Sequence, residues 1–299
     1  MLQNRRSFIK SSVLAGMALA VPEKSQLFSS PKPTIGLQLY SVREDMKQNP
    51  VATLEQLAKM GYHFLEHANY VDHKFYGFKP KEFRRILDDL GLVMRSGHVP
   101  MNGDAWDSSQ KDFTDAWKKT IESAAVLGQT YFIDSWLDIS LRRNFEDCKR
   151  FMEVFNKCGE LCKQQGLKFG YHNHDFEFSL RLTSVRIYDI IMQYTDPSLV
   201  TQQLDLGNMY EGGGRAKELL KQYPNRFELL HVKDVIKKAD GGYENTTLGS
   251  GIVGVKELLH LAAQSGGTTE YFVEQEQYQA KTPLQAVQED LVWIKKVKL

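Results

Sequence analysis

Eight times along the chain a short, nearly unbroken apolar run gives way to a longer amphipathic stretch. The runs are Thr34–Tyr40, Tyr62–Glu66, Leu92–His98, Thr130–Asp134, Lys168–His172, Val200–Asp205, Phe227–His231 and Tyr271–Glu274. Helices are expected between and after them, over about Val51–Met60, Pro80–Leu90, Lys111–Leu127, Asn144–Gln165, Ser184–Tyr194, Arg215–Tyr223, Val253–Gln264 and Pro283–Lys296. Pro80 suits a first helical turn, and Gly91, Gly128 and Gly166 suit helix stops. Strands apolar throughout, rather than at every second residue, are parallel strands covered by helices. An open doubly wound sheet would place a glycine-rich turn after its first strand. Here Gln38-Leu-Tyr-Ser-Val-Arg43 fills that place, so a closed α/β architecture, the (β/α)8 TIM barrel, is expected over residues 32–299. A chain of 299 residues with 42% apolar content is long enough for one such barrel.

In such a barrel the side chains at strand C-termini converge on one mouth. The residues that end the runs are Glu66, His98, Asp134, His172, His174, Asp205, His231 and Glu274, with Glu177 just past the fifth strand. Each alone reads as a hydrogen-bonded structural group. Consecutive strands from the fourth to the eighth all ending in ligand types point instead to a metal site. Mixed His and carboxylate donors without Cys suit one divalent Mn, Zn, Co or Fe ion. Such an ion polarises a carbonyl while a nearby carboxylate or imidazole moves a proton. The long connections at about 69–79, 99–110 and 235–251 follow strands two, three and seven and belong to the same mouth.

The order Gly61-Tyr…Glu66, Tyr171-His-Asn-His…Glu177-Phe, Gln203-Leu-Asp205, His231-Val-Lys-Asp234 and Phe272-Val-Glu274 resembles the xylose isomerase-like barrels. That is the sugar phosphate isomerase/epimerase superfamily, which also holds inosose dehydratases and endonuclease IV-like proteins. The resemblance runs over about residues 34–297. It implies one metal held by Glu, Asp, His and Glu from strands five to eight, and Asp205, His231 and Glu274 match the last three. At strand five the chain departs, with His172 where the epimerases carry Glu. Either His172 ligates in its place or Glu177 reaches back. Glu177 is preferred, because a carboxylate keeps the charge of the site unchanged. The epimerases use paired metal-bound glutamates as bases, so the departure opens another course. His172 or His174 then serves as acid or base with Glu274, and Lys233 steadies an enolate.

The expected metal set is thus Glu177, Asp205, His231 and Glu274, and the expected catalytic set His172, His174, Lys233 and Glu274. Trp106 and Trp136 are candidate platforms for a sugar face, and Glu66, His98 and Arg43 candidate partners for substrate hydroxyls. The expected activity is that of a sugar isomerase or epimerase abstracting a proton next to a metal-polarised carbonyl. A lyase or dehydratase on keto-sugars or 3-keto-glycosides is the alternative, and a carbohydrate-binding barrel without catalysis is the rival from another class.

Net charge is +1 and no basic stripe marks a nucleic-acid surface. Asn4-Arg5-Arg6-Ser7-Phe8-Ile9-Lys10, an apolar run Val13–Val21 and Ala18-Leu19-Ala20 together read as a twin-arginine-type export signal over residues 1–31. The expectation is a periplasmic protein, free of the membrane once the signal is removed. Its expected partner is a small sugar or keto-sugar, and homo-oligomerisation stays open. Cys148, Cys158 and Cys162 share one predicted helix and read as small buried hydrophobes. Gly249-Ser-Gly-Ile-Val-Gly254 fits the dinucleotide fingerprint in letters only, since it follows a polar loop. It is expected to be a loop whose amides touch substrate oxygens.

Overall fold

A computed structural model describes residues 33–265 and 267–299; the twin-arginine-type segment lies outside the described residues. Eight parallel strands form the sheet: β1 (Thr34–Gln38), β2 (Phe64–His67), β3 (Val93–Gly97), β4 (Tyr131–Asp134), β5 (Lys168–His172), β6 (Val200–Asp205), β7 (Leu229–Val232) and β8 (Glu270–Val273). Their order follows the chain, and β1 pairs with both β2 and β8. The seam lies between β3 and β4. It is bridged by His98 opposite Ile133, by Val99 N–H to the Ile133 carbonyl at 2.9 Å, and by Thr130 N–H to the Arg95 carbonyl at 2.8 Å. The sheet is a nearly closed TIM barrel.

The principal helices are α1 (Pro50–Met60), α2 (Pro80–Asp89), α3 (Asp115–Leu127), α4 (Phe145–Gln164), α5 (Ile187–Tyr194), α6 (Ala216–Gln222), α7 (Val255–Gln264) and α8 (Pro283–Ile294). Their ends are set by caps: Asn49, Asn144 and Thr282 accept the first free amides of α1, α4 and α8. The expected start of α3 at Lys111 is corrected to Asp115. Thr114 caps that helix, and Asp112–Phe113 pairs instead with Trp106–Asp107 as a hairpin. The three long connections each carry such a hairpin, the others being Tyr70–Val71 with Lys74–Phe75 and Asp234–Lys237 with Tyr243–Thr246. The three cysteines are buried on α4 as free thiols. Among the described residues no helix is long and apolar enough to cross a membrane.

Alternation along each strand sorts the barrel interior into layers. Tyr131, Ile133, Leu229 and Phe272 fill the middle. Two glycines make room for them: a Cβ at Gly36 would lie 2.6 Å from the Phe272 ring, and one at Gly170 would lie 2.7 Å from Ile133 Cδ1. Below this plug Arg95 pairs with Glu270, and Glu228 accepts from Tyr131 and Lys168. Above it the side chains are polar.

The glycine-rich loop is corrected. Its amides do not await a substrate, because the Asp234 carboxylate already occupies them. Gly249, Gly251 and Val253 donate to it at 3.0, 3.0 and 3.2 Å, and Val235 donates at 3.0 Å. A loop of successive N–H groups is an anion cradle, and here the anion is the chain's own. A Cβ at Gly251 would lie 2.2 Å from Asp234 Oδ1, which explains the glycine. Asp290 on α8 secures the same loop by accepting Leu248 N–H at 2.8 Å.

Asp234→Ala strips a charged acceptor from four amides and is expected to lower unfolding free energy by about 3 kcal/mol, read as a fall in the urea midpoint. Burial pushes the Asp290 carboxyl up to about 7 despite the Leu248 amide. The folded chain then holds this proton while the unfolded chain has released it. Stability is therefore lost as pH rises from about 4 to about 7, by at most about 4 kcal/mol. Asp290→Asn cannot ionise, so its melting temperature should gain on wild type across that window and level off above it. A constant difference between pH 4 and 8 would contradict the assignment.

Candidate metal centre

At the C-terminal mouth, four residues from consecutive strand ends meet: His172 of β5, Asp205 of β6, His231 of β7 and Glu274 just past β8. One ligand atom from each lies within 4.8 Å of all the others, and all four are buried. Period-two spacing places Gln203 beneath Asp205, Lys233 above His231 and Glu276 above Glu274.

Glu66 on β2 ties the group together from below. Its carboxylate accepts from Gln38 and Gln203 at 2.7 Å each and lies 2.5 Å from His231 Nε2 and 3.1 Å from His98 Nε2. Burial alone would raise this carboxyl, but the His98 and His231 imidazoles hold it well below the usual carboxylate range. The Gln203 amide donates to Glu66, so its oxygen is left to take both imidazoles, His98 Nε2 at 2.7 Å and His172 Nδ1 at 3.0 Å. His172 therefore turns Nε2 toward Asp205 Oδ2, 4.0 Å away. His231 turns Nδ1 toward Glu274 at 3.0 Å and Asp205 at 3.8 Å. Each ring is fixed by its far nitrogen, the usual support of a metal-binding histidine.

The electrostatics fit a divalent cation. Burial works against a cationic His231, yet Glu274 and Glu66 on either side push its pKa up to about 10. Burial also raises the Asp205 carboxyl to about 6, against the pull of Lys233, and among the described residues Asp205 Oδ2 lacks an aligned hydrogen-bond donor. Asp205, Glu274 and Glu276 face the ammonium of Lys233, and Glu66 faces the imidazole of His231. This surplus of buried negative charge, next to two imidazoles oriented for ligation, is what one divalent ion offsets.

Several sequence expectations change. Glu177 does not reach the group: it is hydrogen-bonded to the Tyr171 hydroxyl and accepts His174 N–H at 2.8 Å, and burial raises it to about 8. The ring of His172 stands with the strand-end donors instead. Lys233 does not face a substrate; it is fully buried among oxygens. Arg43 lies between Tyr40 and Tyr278, donating to the Tyr278 hydroxyl at 2.8 Å and the Glu276 carbonyl at 3.1 Å, so it pins the loop after β8. Glu66 lies under the imidazoles without exposure. Trp106 is drawn away because its hairpin packs the indole against Phe113, with Lys157 of α4 at 5.6 Å. Asp134 alternates outward, where it accepts Met101 and Trp136 amides.

Trp136 does stand at the mouth, 40% exposed, its ring edge-on to His174 at 4.9 Å. His174 in turn packs 5.0 Å from His172, and its buried Nδ1 has no hydrogen-bond partner among the described residues. His98 bridges β3 to the cluster, stacked on His231 at 5.1 Å. Gln38, Gln203, Asn208 and Glu276 were not foreseen. A search for polar residues two positions from each ligand type would have found Gln203 and Glu276.

The sequence profile of the xylose isomerase-like TIM barrel matches residues 54–297. The chain belongs to that family. Its match to an inosose dehydratase of Clostridium perfringens is 37% identical over 95 residues, 32% of this chain and 31% of that protein. An inosose dehydratase of Bacillus cereus is 25% identical over 171 residues, 51% of this chain and 56% of that protein. The chain thus spans about a third to a half of the curated relatives it matches. A sugar phosphate isomerase/epimerase from Parabacteroides distasonis superimposes with a TM-score of 0.77 at 28% identity, covering 92% of this chain and 98% of the other.

Geometry orders the variants. Glu177→Gln should keep the metal content of wild type. His172→Ala should weaken Mn²⁺ or Zn²⁺ binding by at least about tenfold, both measured by elemental analysis after dialysis. The reverse ranking would restore Glu177 as the fourth ligand.

Proposed function

We propose that this protein is a metal-dependent enzyme that removes a proton beside the carbonyl of an uncharged keto-sugar or keto-cyclitol, with elimination of a neighbouring oxygen as the outcome. The observation that carries the reading is the convergence of His172, Asp205, His231 and Glu274 at the barrel mouth. A divalent ion there would polarise the substrate carbonyl and acidify the adjacent C–H.

Glu274, slightly exposed at 6%, is the carboxylate placed to take the proton. Glu66 and Gln203 keep the imidazoles from turning. His174, with its free Nδ1, is the group placed to hydrogen-bond the departing oxygen, and Trp136 offers a face for the ring. The strand-five histidine favours elimination over epimerisation: a proton swap between faces needs two opposed carboxylate bases, and Glu177 is turned away. The inosose dehydratase names of the partial relatives support a lyase. The isomerase/epimerase name of the Parabacteroides distasonis structure supports the second reading, exchange of a proton without loss of a group. The twin-arginine-type leader adds a periplasmic setting to the proposal.

Incubation with 3-keto-glycosides, keto-cyclitols and free ketoses in deuterated water, followed by NMR, tests it. Release of the β-substituent from a keto substrate is expected. Asp205→Ala should lose both bound metal and at least about a hundredfold in rate. Deuterium incorporation without elimination would select the isomerase. Sugar binding unchanged by metal removal, with no exchange, would leave only a binding barrel.

A further inference from the structure

Four oxygens close around Lys233 Nζ: Glu276 Oε1 at 2.6 Å, Glu274 Oε2 at 2.8 Å, Asp205 Oδ2 at 3.0 Å and Asn208 Oδ1 at 3.3 Å. Two of these residues, Asp205 and Glu274, also belong to the candidate metal group. Their carboxylates thus serve two adjacent positions, as carboxylates do between the ions of a two-metal site. The first position has mixed imidazole and carboxylate donors. The second is an all-oxygen cage, the kind that hard cations prefer.

The fold is shaped to deliver an ammonium into that cage. A Cβ at Gly207 would come within 2.7 Å of Lys233 Cγ and 2.8 Å of Cδ, so the glycine clears the path of the lysine stem. Asn208, the next residue, is held by its own amide, which donates to Asp205 Oδ1 at 2.8 Å. The lysine is fully buried. An ammonium has three hydrogens; Asn208 and Glu276 accept from it, and Glu274 and Asp205 stand at ion-pair distance on its remaining side.

We propose that Lys233 is a built-in second cation: it fills the oxygen cage beside the metal group, limits the centre to one divalent ion, and orients the carboxylates of Asp205 and Glu274. This rests on the reading of the four strand-end residues as a metal centre. Removing the ammonium leaves two buried carboxylates, Asp205 and Glu274, sharing one cage with the partly exposed Glu276, and an uncompensated buried charge is strongly unfavourable. A second divalent ion relieves it.

Lys233→Met is the informative variant. Methionine keeps most of the stem beside Gly207 but stops short of the Nζ position. Metal-stripped wild type and Lys233→Met are titrated with Mn²⁺, and bound metal is counted by elemental analysis and by the electron paramagnetic resonance of spin-coupled Mn²⁺ pairs. Wild type should bind one equivalent. Lys233→Met should bind two, with a coupled-pair signal, and Lys233→Met/Glu276→Gln should return to one. If Lys233→Met is unstable without metal, its melting temperature should keep rising beyond the one equivalent that saturates wild type. Saturation of Lys233→Met at one equivalent would overturn the inference, as would failure to fold even in excess Mn²⁺. Wild type binding two would do the same. Wild type binding none would instead remove the metal reading itself.

Discussion

A carboxylate buried without exposure at the top of a barrel must be surrounded by donors or it unfolds its neighbourhood. Glu66 meets that demand by drawing on β1, β6 and β7 and on His98 beyond β3, through Gln38, Gln203, His231 and His98. The requirement runs both ways. Those donors keep Glu66 ionised, and Glu66 fixes which nitrogen of His231 faces the mouth. The rotamers of the centre are set from below, by Glu66, Gln38 and Gln203, all fully buried. That is the condition for a site whose ligands are in place before an ion arrives.

The rhythm of apolar runs was enough for the eight strands, because a buried parallel strand has to be apolar on both faces. It also led to Asp205, His231 and Glu274 as side chains that meet at one mouth, since a strand end is a place where a polar residue has one direction to point. The choice between His172 and Glu177 was not legible. It depends on Tyr171, whose hydroxyl captures Glu177 on the outer side of β5, a contact that no spacing rule contains. Trp106 failed for a similar reason. Its hairpin partner, Phe113, lies in a stretch whose periodicity continues that of the following helix. Arg43 and Lys233 were read as groups available to a ligand, yet Arg43 donates to oxygens of Tyr40, Tyr278 and Glu276, and Lys233 is enclosed by four oxygens of the chain itself.

The loop that matched a dinucleotide fingerprint shows how sequence letters and physics can agree while function differs. Gly249 and Gly251, with Val253, do expose backbone amides to an anion, as the pattern requires. The anion is Asp234, three residues after His231, so the cradle anchors the loop after β7 and leaves no place there for a phosphate. Asp290 on α8 adds a second anchor. The roof of the centre is therefore stapled to the strand and helix that flank it.

The plug of Tyr131, Ile133, Leu229 and Phe272, with the ion pairs beneath it, makes the barrel a vessel with a single door. Among the described residues that layer is apolar apart from the Tyr131 hydroxyl, which turns down to Glu228. Anything that enters at the C-terminal mouth therefore meets a closed floor beneath Glu66 and Gln203, so arrival and departure share one end of the barrel.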